Sequence, residues 1–405
     1  MGSTFTSWHR AQASIAQQTL TNSKHPRTHI RPHYPTHVHS GHGCVLRTHD
    51  GKEYVDFICG LGTNLLGYGE PRVARAAYQA GLGGWSHSFP THWELNCAEK
   101  LKEFFPFIDR VKFLKSGSEA CSAALRIART RTGKKYVLSE GYHGWHDEFV
   151  SLTEPAAGVA GEYYIDHLRS LEQIGKHSDL AAVIVEPFIT DDSKERIEWL
   201  HELRRVCSAS GVMLIFDEII TGFRYEKYGV SNCYGVVPDI LCLGKAIANG
   251  MPLAAVCGKE AWMDDPSYFV SSTYASEVSS LAAALEAMTI LQRDPDYDIK
   301  NLVLDGKDFI CRFNELGRGE LRIKGYPTRG VFEGPQNLKA LFFQECSKLG
   351  ILFGPSWFYN FPLMRQKNRV LIDCKIVLEK IFSGKVEFDG ELPESPFAQG
   401  VRNGR

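Results

Sequence analysis

Three short stretches of the chain carry residues whose type and setting could do chemistry. In P-D-I-L-C-L-G-K-A-I-A-N-G, Lys245 ends a nearly all-apolar run, with Gly244 just before it. Lysine is seldom buried without a partner, and desolvation lowers its pKa, so an amine in this setting is a candidate for a Schiff base with a carbonyl. In V-M-L-I-F-D-E-I-I-T-G-F-R, Asp217 closes a strongly apolar run. A carboxylate there serves as a solvated strand end, a metal ligand or the partner of a cationic ring nitrogen. No His or second acid recurs at ligand spacing, which weighs against a metal. The third stretch is K-S-G-S-E-A, Lys115 to Ala120. Ser116 and Glu119 stand in capping-box spacing, Ala120, Ala123, Ala124, Ile127 and Ala128 form an apolar stripe, and Gly133 supplies the stop of a helix. A Gly-Ser turn at a helix start exposes N–H groups and the positive end of the dipole, which suits a phosphate; taken alone, it reads equally as a plain cap.

These residues need a frame that brings them together. From about Val111 short apolar runs alternate with longer helical stretches, the pattern of β-α-β units and of an α/β fold with a mostly parallel, doubly wound sheet. The spacing predicts strands over 111–114, 136–139, 182–186, 212–217, 240–244 and 253–257. In open α/β sheets the ligand crevice lies beyond the carboxyl ends of the strands, so Ser116, Glu186, Asp217 and Lys245 are expected to converge there. Beyond Arg293 the pattern turns to helix, short strands and helix again, a smaller α+β domain to which 51–57 is a possible addition. The expected organisation is a helix and arm over 1–50, a large domain over 51–292, the small C-terminal domain over 293–382 and a loose tail over 383–405.

Composition narrows the function classes. The 405 residues carry 46 Lys plus Arg against 47 Asp plus Glu, a net charge of -1, which argues against nucleic acid or a membrane surface as the main partner. No window approaches the roughly 20 apolar residues of a membrane span, and 1–24 has no apolar segment of the secretory kind. The 11 cysteines are scattered with no C-x-x-C pair, which fits reduced thiols in a cytoplasmic protein. The opening M-G-S-T-F-T satisfies a myristoylation pattern too short to carry weight. The arm holds His25, His29, His33, His37, His39 and His42, but without H-E-x-x-H spacing or a cysteine partner it reads as a surface arm before a metal tract.

Six motifs in order, S-G-S-E-A, G-Y-H-G-W-H, V-E-P, D-E-I-I-T-G-F-R, L-G-K-A-I-A-N-G and S-S-T-Y-A-S-E, resemble the class III aminotransferases of fold type I, enzymes of pyridoxal 5'-phosphate (PLP). The likeness is to their glutamate-1-semialdehyde aminomutase branch and runs from about Gly43 to Ile381. The resemblance implies that Lys245 bonds PLP covalently and that Asp217 keeps the pyridine nitrogen protonated. It implies that Ser116, Gly117 and Ser118 bind the phosphate, with Tyr142 and His143 of the G-Y-H-G-W-H motif against the ring and Glu186 near the cofactor's hydroxyl. Thr273 matches a threonine that reaches the phosphate of the neighbouring subunit, so the expected assembly is a homodimer with shared active sites. The reaction implied is movement of an amino group on a small amine, amino acid or amino-aldehyde, by transamination or 2,1-mutation; decarboxylation or epimerisation on the same scaffold is the alternative, and a silent binding protein a remote one. No metal is implied.

The chain departs from the branch after Thr273, where Ala275, Ser276, Glu277 and Val278 replace a Gly-Asn-Pro-like sequence. Glu277 is therefore a candidate substrate contact, together with Thr63 and Asn64 of the Gly-rich entry loop 59–69 and Trp85, which reads at least as well as a packed aromatic; His87 shares its segment. Arg27 or Arg31 is a candidate for the aminomutase's carboxylate-binding arginine and reads equally as a surface residue, while Arg224 reads equally as a structural ion pair.

Overall fold

A computed structural model describes residues 2–153, 163–189 and 192–394. Contacts divide the chain into two compact units, one of residues 62–64 and 71–300, the other of 1–61, 65–70 and 301–405. Among the described residues no helix is long and apolar enough to cross a membrane.

The unit of 62–64 and 71–300 is built on a seven-stranded sheet: β1 Arg110–Leu114, β2 Tyr136–Glu140, β3 Ile165–His167, β4 Leu180–Val185, β5 Met213–Asp217, β6 Ile240–Leu243 and β7 Ala254–Gly258. Their spatial order is β1-β7-β6-β5-β4-β2-β3. The neighbours from β3 to β6 pair in parallel, and β7 is antiparallel to both β1 and β6. Every residue of β4, β5, β6 and β7 is buried, which is why these strands read in the sequence as unbroken apolar runs instead of alternating ones.

The helices of this unit include α1 Pro71–Gly81, α2 His92–Phe104, α3 Gly117–Thr132, α4 Lys194–Ala209 and α5 Val278–Arg293. α3 starts on the expected capping box: Ser116 Oγ accepts from the N–H of Glu119 at 3.3 Å, and Glu119 Oε2 accepts from the N–H of Ser116 at 2.8 Å. It ends at Gly133, whose left-handed φ of 65° lets its N–H cap the Arg129 carbonyl. Its buried Ala120, Ala124, Ile127 and Ala128 pack with Ile184, Ile215 and Cys242 of the sheet in one apolar cluster.

In the other unit, Glu53–Asp56 lies between Val45–Arg47, antiparallel, and Ile351–Leu352, parallel. That pairing carries 51–61 into the sheet of the C-terminal residues, and the unit boundary falls at 300, so the large unit does not coincide with the expected 51–292 at either end. A three-stranded antiparallel sheet joins Arg322–Tyr326, Arg329–Glu333 and Ser356–Phe358.

The stretch following 382 is not a loose tail where it is described. The N–H of Glu391 donates to the Arg31 carbonyl at 2.8 Å, that of Glu394 to the Arg27 carbonyl at 2.8 Å, and Asp389 Oδ1 lies 2.7 Å from His33 Nε2. Side-chain pairs Arg31–Glu391 and Arg27–Glu394 accompany these bonds, because the acidic residues of the tail face the basic residues of the arm. Residues 395–405 of the expected tail lie outside the described residues. In the arm, burial pushes the His29 imidazole down to about 4, and its ring stacks on Tyr34 at 5.5 Å.

Candidate active site

At the carboxyl ends of β2, β4, β5 and β6 the unit of 62–64 and 71–300 encloses a cavity of about 310 Å³. Its walls include Lys245, Asp217, Gly117, Ser118, Tyr142 and His143. Thr63, Lys115, Gly144 and Glu186 border it as well.

Each wall residue has a local reason for its place. Asp217 is the last residue of β5 and is only 4% exposed. Its Oδ1 accepts from the N–H of Ile219 at 3.1 Å, and its Oδ2 lies 2.7 Å from His143 Nδ1. An ionised carboxylate offers only acceptors, so against it this contact calls for the imidazole proton on Nδ1. His143 Nε2 is buried with no hydrogen-bond partner among the described residues, and the ring meets Phe149 edge-on at 5.3 Å. The next residue, Glu218, is fully buried; desolvation raises its carboxyl, while Thr221 Oγ1 and the N–H groups of Val230 and Ser231 donate to it at 2.7–2.9 Å. Glu218 thereby anchors the chain leaving Asp217.

Lys245 follows β6 and Gly244 directly and opens a short turn with φ 45°. A side-chain-bearing residue in the left-handed region costs about 1–2 kcal/mol, a strain characteristic of functional positions. The two residues that open α3, Gly117 and Ser118, contribute N–H groups that a helix cannot satisfy internally. The loop 141–144 closes over them. Ser118 Oγ accepts from the N–H of Trp145 at 3.3 Å, and a Cβ on Gly144, where φ is 113°, would come within 2.2 Å of that oxygen. Glu186, just past β4, accepts from the N–H of Tyr142 at 2.8 Å. Arg196 of α4 ties the ends of β2 and β4 together, bonding both oxygens of Glu140 at 3.0 and 3.1 Å and the Glu186 carbonyl at 3.2 Å.

The remaining expected residues fall in different places. Ser116 is exposed, its hydroxyl engaged with Glu119, and does not line the cavity. Asn64 is buried behind Thr63, to whose Oγ1 it donates at 2.9 Å. Glu277 stands outside the lining as the N-cap of α5, where its oxygens accept from the N–H groups of Ser279 and Ser280, from Ser280 Oγ and from Lys115 Nζ at 3.1 Å. Desolvation pushes its carboxyl up, but the Ser280 hydroxyl, Lys115 and the Ser279 N–H outweigh it and hold it below the usual range. Thr273 is exposed in a turn, and Trp85 is 56% exposed, its ring resting against Gly81, so Trp85 is not a core aromatic. Arg224 is fully buried and donates to the Gly62 carbonyl, which fixes the start of 62–64.

Sequence spacing offered no second ligand-type residue beside Asp217, yet the fold brings two. Cys121 and His143 lie with it in a buried cluster whose ligand atoms are within 4.8 Å of one another, a set that could hold a metal ion. These atoms are engaged with one another: His143 Nδ1 and Cys121 Sγ both bond Asp217. Burial also pushes the Cys121 thiol well above its ordinary value, which opposes the thiolate a metal would need.

The aminotransferase class-III family model matches residues 28–164 and 156–357. Glutamate-1-semialdehyde 2,1-aminomutase of Methanococcoides burtonii is 32% identical over 355 residues, 80% of this chain and 83% of that protein. The 3-aminobutyryl-CoA aminotransferase of Cloacimonas acidaminovorans is 32% identical over 293 residues, 68% of this chain and 70% of that one. Among solved structures, the PLP internal aldimine form of the FumI protein of Sphingopyxis sp. MTA144 superposes with a TM-score of 0.88 at 23% identity, covering 96% of this chain and 98% of that one. An omega-transaminase from Sphaerobacter thermophilus gives 0.81 at 22% identity, with 93% and 97% covered. At such identities the superpositions speak for the fold, which is fold type I of the PLP-dependent transferases. The family model and the curated relatives speak for more: the chain belongs to the class III aminotransferases, which are PLP enzymes.

Proposed function

We propose that the cavity is a PLP site at which Lys245 and Asp217 move an amino group on a small amine, amino acid or amino-aldehyde. The observation that carries the reading is the convergence, on one cavity, of an amine, a buried carboxylate and a helix start drawn from positions 117, 217 and 245. This set fits the cofactor group by group. Lys245 would hold its aldehyde carbon, Gly117 and Ser118 its phosphate, Asp217 its ring nitrogen and Tyr142 a ring face, with Glu186 on the hydroxyl side. When bound, the cofactor supplies an electron sink for a carbon next to the substrate's nitrogen.

The chain's own part is positioning and proton transfer. Asp217, dry and braced by His143, stabilises positive charge opposite it far better than a solvated carboxylate does. Lys245 Nζ, free once a substrate amine takes its place, would accept the proton of the carbon that bears this amine and return it on the far side of the nitrogen, at the carbon Lys245 had held, acting as base and then acid. Loop 141–144 and the N–H groups at the start of α3 fix the geometry in which one substrate bond is weakened instead of another.

The same reading includes a cytoplasmic homodimer. Its support is the exposure of the large apolar side chains Tyr78, Leu82, Trp85, Phe89 and Leu95 along α1, α2 and the segment between them, a feature of surfaces that meet a partner. An exposed Thr273 and Trp85 suit residues that serve a second copy's site. All eleven cysteines are free, which suits a reducing compartment.

A donor screen tests the reaction. Protein loaded with PLP is expected to lose its visible absorbance when given an amino donor alone and to regain it with a carbonyl acceptor. Carbon dioxide release with the absorbance retained would favour decarboxylation and contradict the amino-transfer reading.

A further inference from the structure

Asp217 has a second side-chain donor besides His143. Cys121, on the face of α3 turned to the sheet and fully buried, places its Sγ 3.3 Å from Asp217 Oδ2, the same oxygen that His143 Nδ1 approaches at 2.7 Å. The sulfur also neighbours Cys242 of β6, whose own thiol donates to the Ala120 carbonyl at 3.5 Å. Burial first, then Cys242 and Asp217, push the Cys121 thiol well above its ordinary value, so the group remains S–H and can only donate to a carboxylate. A thiol that donates to the carboxylate assigned to a cationic ring in the PLP reading bears on that carboxylate's charge.

We propose that Cys121 is a positioning residue whose S–H bond to Asp217 Oδ2 sets how strongly Asp217 keeps a ring nitrogen protonated. The proposal rests on the PLP reading of this site. A donor stabilises the anionic form of a carboxylate and lowers its affinity for a proton. With Cys121 in place, the proton between Asp217 and the ring stays on the ring nitrogen. Without it, Asp217 competes better for that proton, the ring becomes less cationic, and the nitrogen joining Lys245 to the cofactor becomes more basic. The titratable groups facing Cys121 are Asp217 of β5, Cys242 of β6, and His143 and Tyr142 of the loop after β2. His143 remains on Asp217 in every variant, so the effect is a tuning and not a collapse.

The test is a pH titration of the visible absorbance of PLP-loaded wild type, Cys121→Val, Cys121→Ala and Cys121→Ser. A thiol is a weak donor, so Val and Ala are expected to raise the midpoint by about half a pH unit. Ser, which restores a donor, is expected to return it toward wild type. A purely structural role would lower the unfolding temperature of Val or Ala and leave the midpoint where it was; that result, or a Ser midpoint displaced as far as that of Val, overturns the proposal. Alanine removes atoms without adding bulk, so a Val variant that fails to fold leaves the test intact. A wild type that takes up PLP without any visible band overturns the cofactor reading itself, and this proposal with it.

Discussion

Lys245→Ala is expected to lower turnover by at least about a thousandfold and to remove the visible absorbance of PLP-loaded protein. Two functions disappear with one amine: the covalent hold on the cofactor and the acid-base group beside the reacting carbon. The variant should otherwise stay intact. Alanine and lysine carry similar strain at φ 45°, and Gly117, Ser118, Tyr142 and Asp217 are untouched, so added PLP should still bind as the free aldehyde. Near-wild-type turnover would mean that another group does the proton transfer. Lys115 would be the first suspect, because it is the other lysine lining the cavity.

Asp217→Asn is expected to slow the amino-donor half-reaction on the order of 10²–10³-fold while leaving PLP attached to Lys245. The change is isosteric, so the fold around β5 should hold. What it alters is charge and hydrogen-bond sense. Asp217 receives His143 Nδ1, Cys121 Sγ and the Ile219 N–H, and an amide in its place must turn its own N–H groups toward one of these donors or toward the ring nitrogen. Either choice withdraws the negative charge that makes a protonated ring favourable in a dry cavity. The ring's absorbance should therefore titrate at higher pH than in wild type. An unchanged half-reaction rate in Asp217→Asn would show that this carboxylate does not govern the electron sink.

Strands β4, β5, β6 and β7 were legible because they are buried throughout and so appear as apolar runs; all six predicted strands lie within two residues of those observed. The edge strand Ile165–His167 was not, since three residues, two of them exposed, give no periodic signal. The reversed direction of Ala254–Gly258 was hidden too, because an antiparallel strand inside a covered sheet has the same composition as its parallel neighbours. The convergence of Glu186, Asp217 and Lys245 followed from topology once the strands were placed, whereas Ser116, expected with them, stays out of the lining and its neighbours Gly117 and Ser118 enter it. Cys121 and Lys115 escaped notice for different reasons. The stripe 120, 123, 124, 127, 128 assumed one buried face for α3, whereas Cys121 and Leu125 are buried as well, so the helix is covered over a wider arc. In the sequence Lys115 only precedes the cap at Ser116, and the fold alone puts it in the cavity wall with its amine on Glu277. The sequence offers Ser116 and Glu277 for chemistry, but in the structure their oxygens are taken up in capping helices. Polar composition predicts a loose tail and cannot show that Glu391 and Glu394 meet Arg31 and Arg27 from the far end of the chain.

In the PLP reading the amine of Lys245 is the one joined to the cofactor. Reducing PLP-loaded protein with borohydride fixes that bond, and peptide mass mapping then locates the label. The pyridoxyl group is expected on the peptide that carries Lys245, with no comparable label elsewhere. A label on the peptide carrying Lys115, or none on any lysine, would contradict this reading.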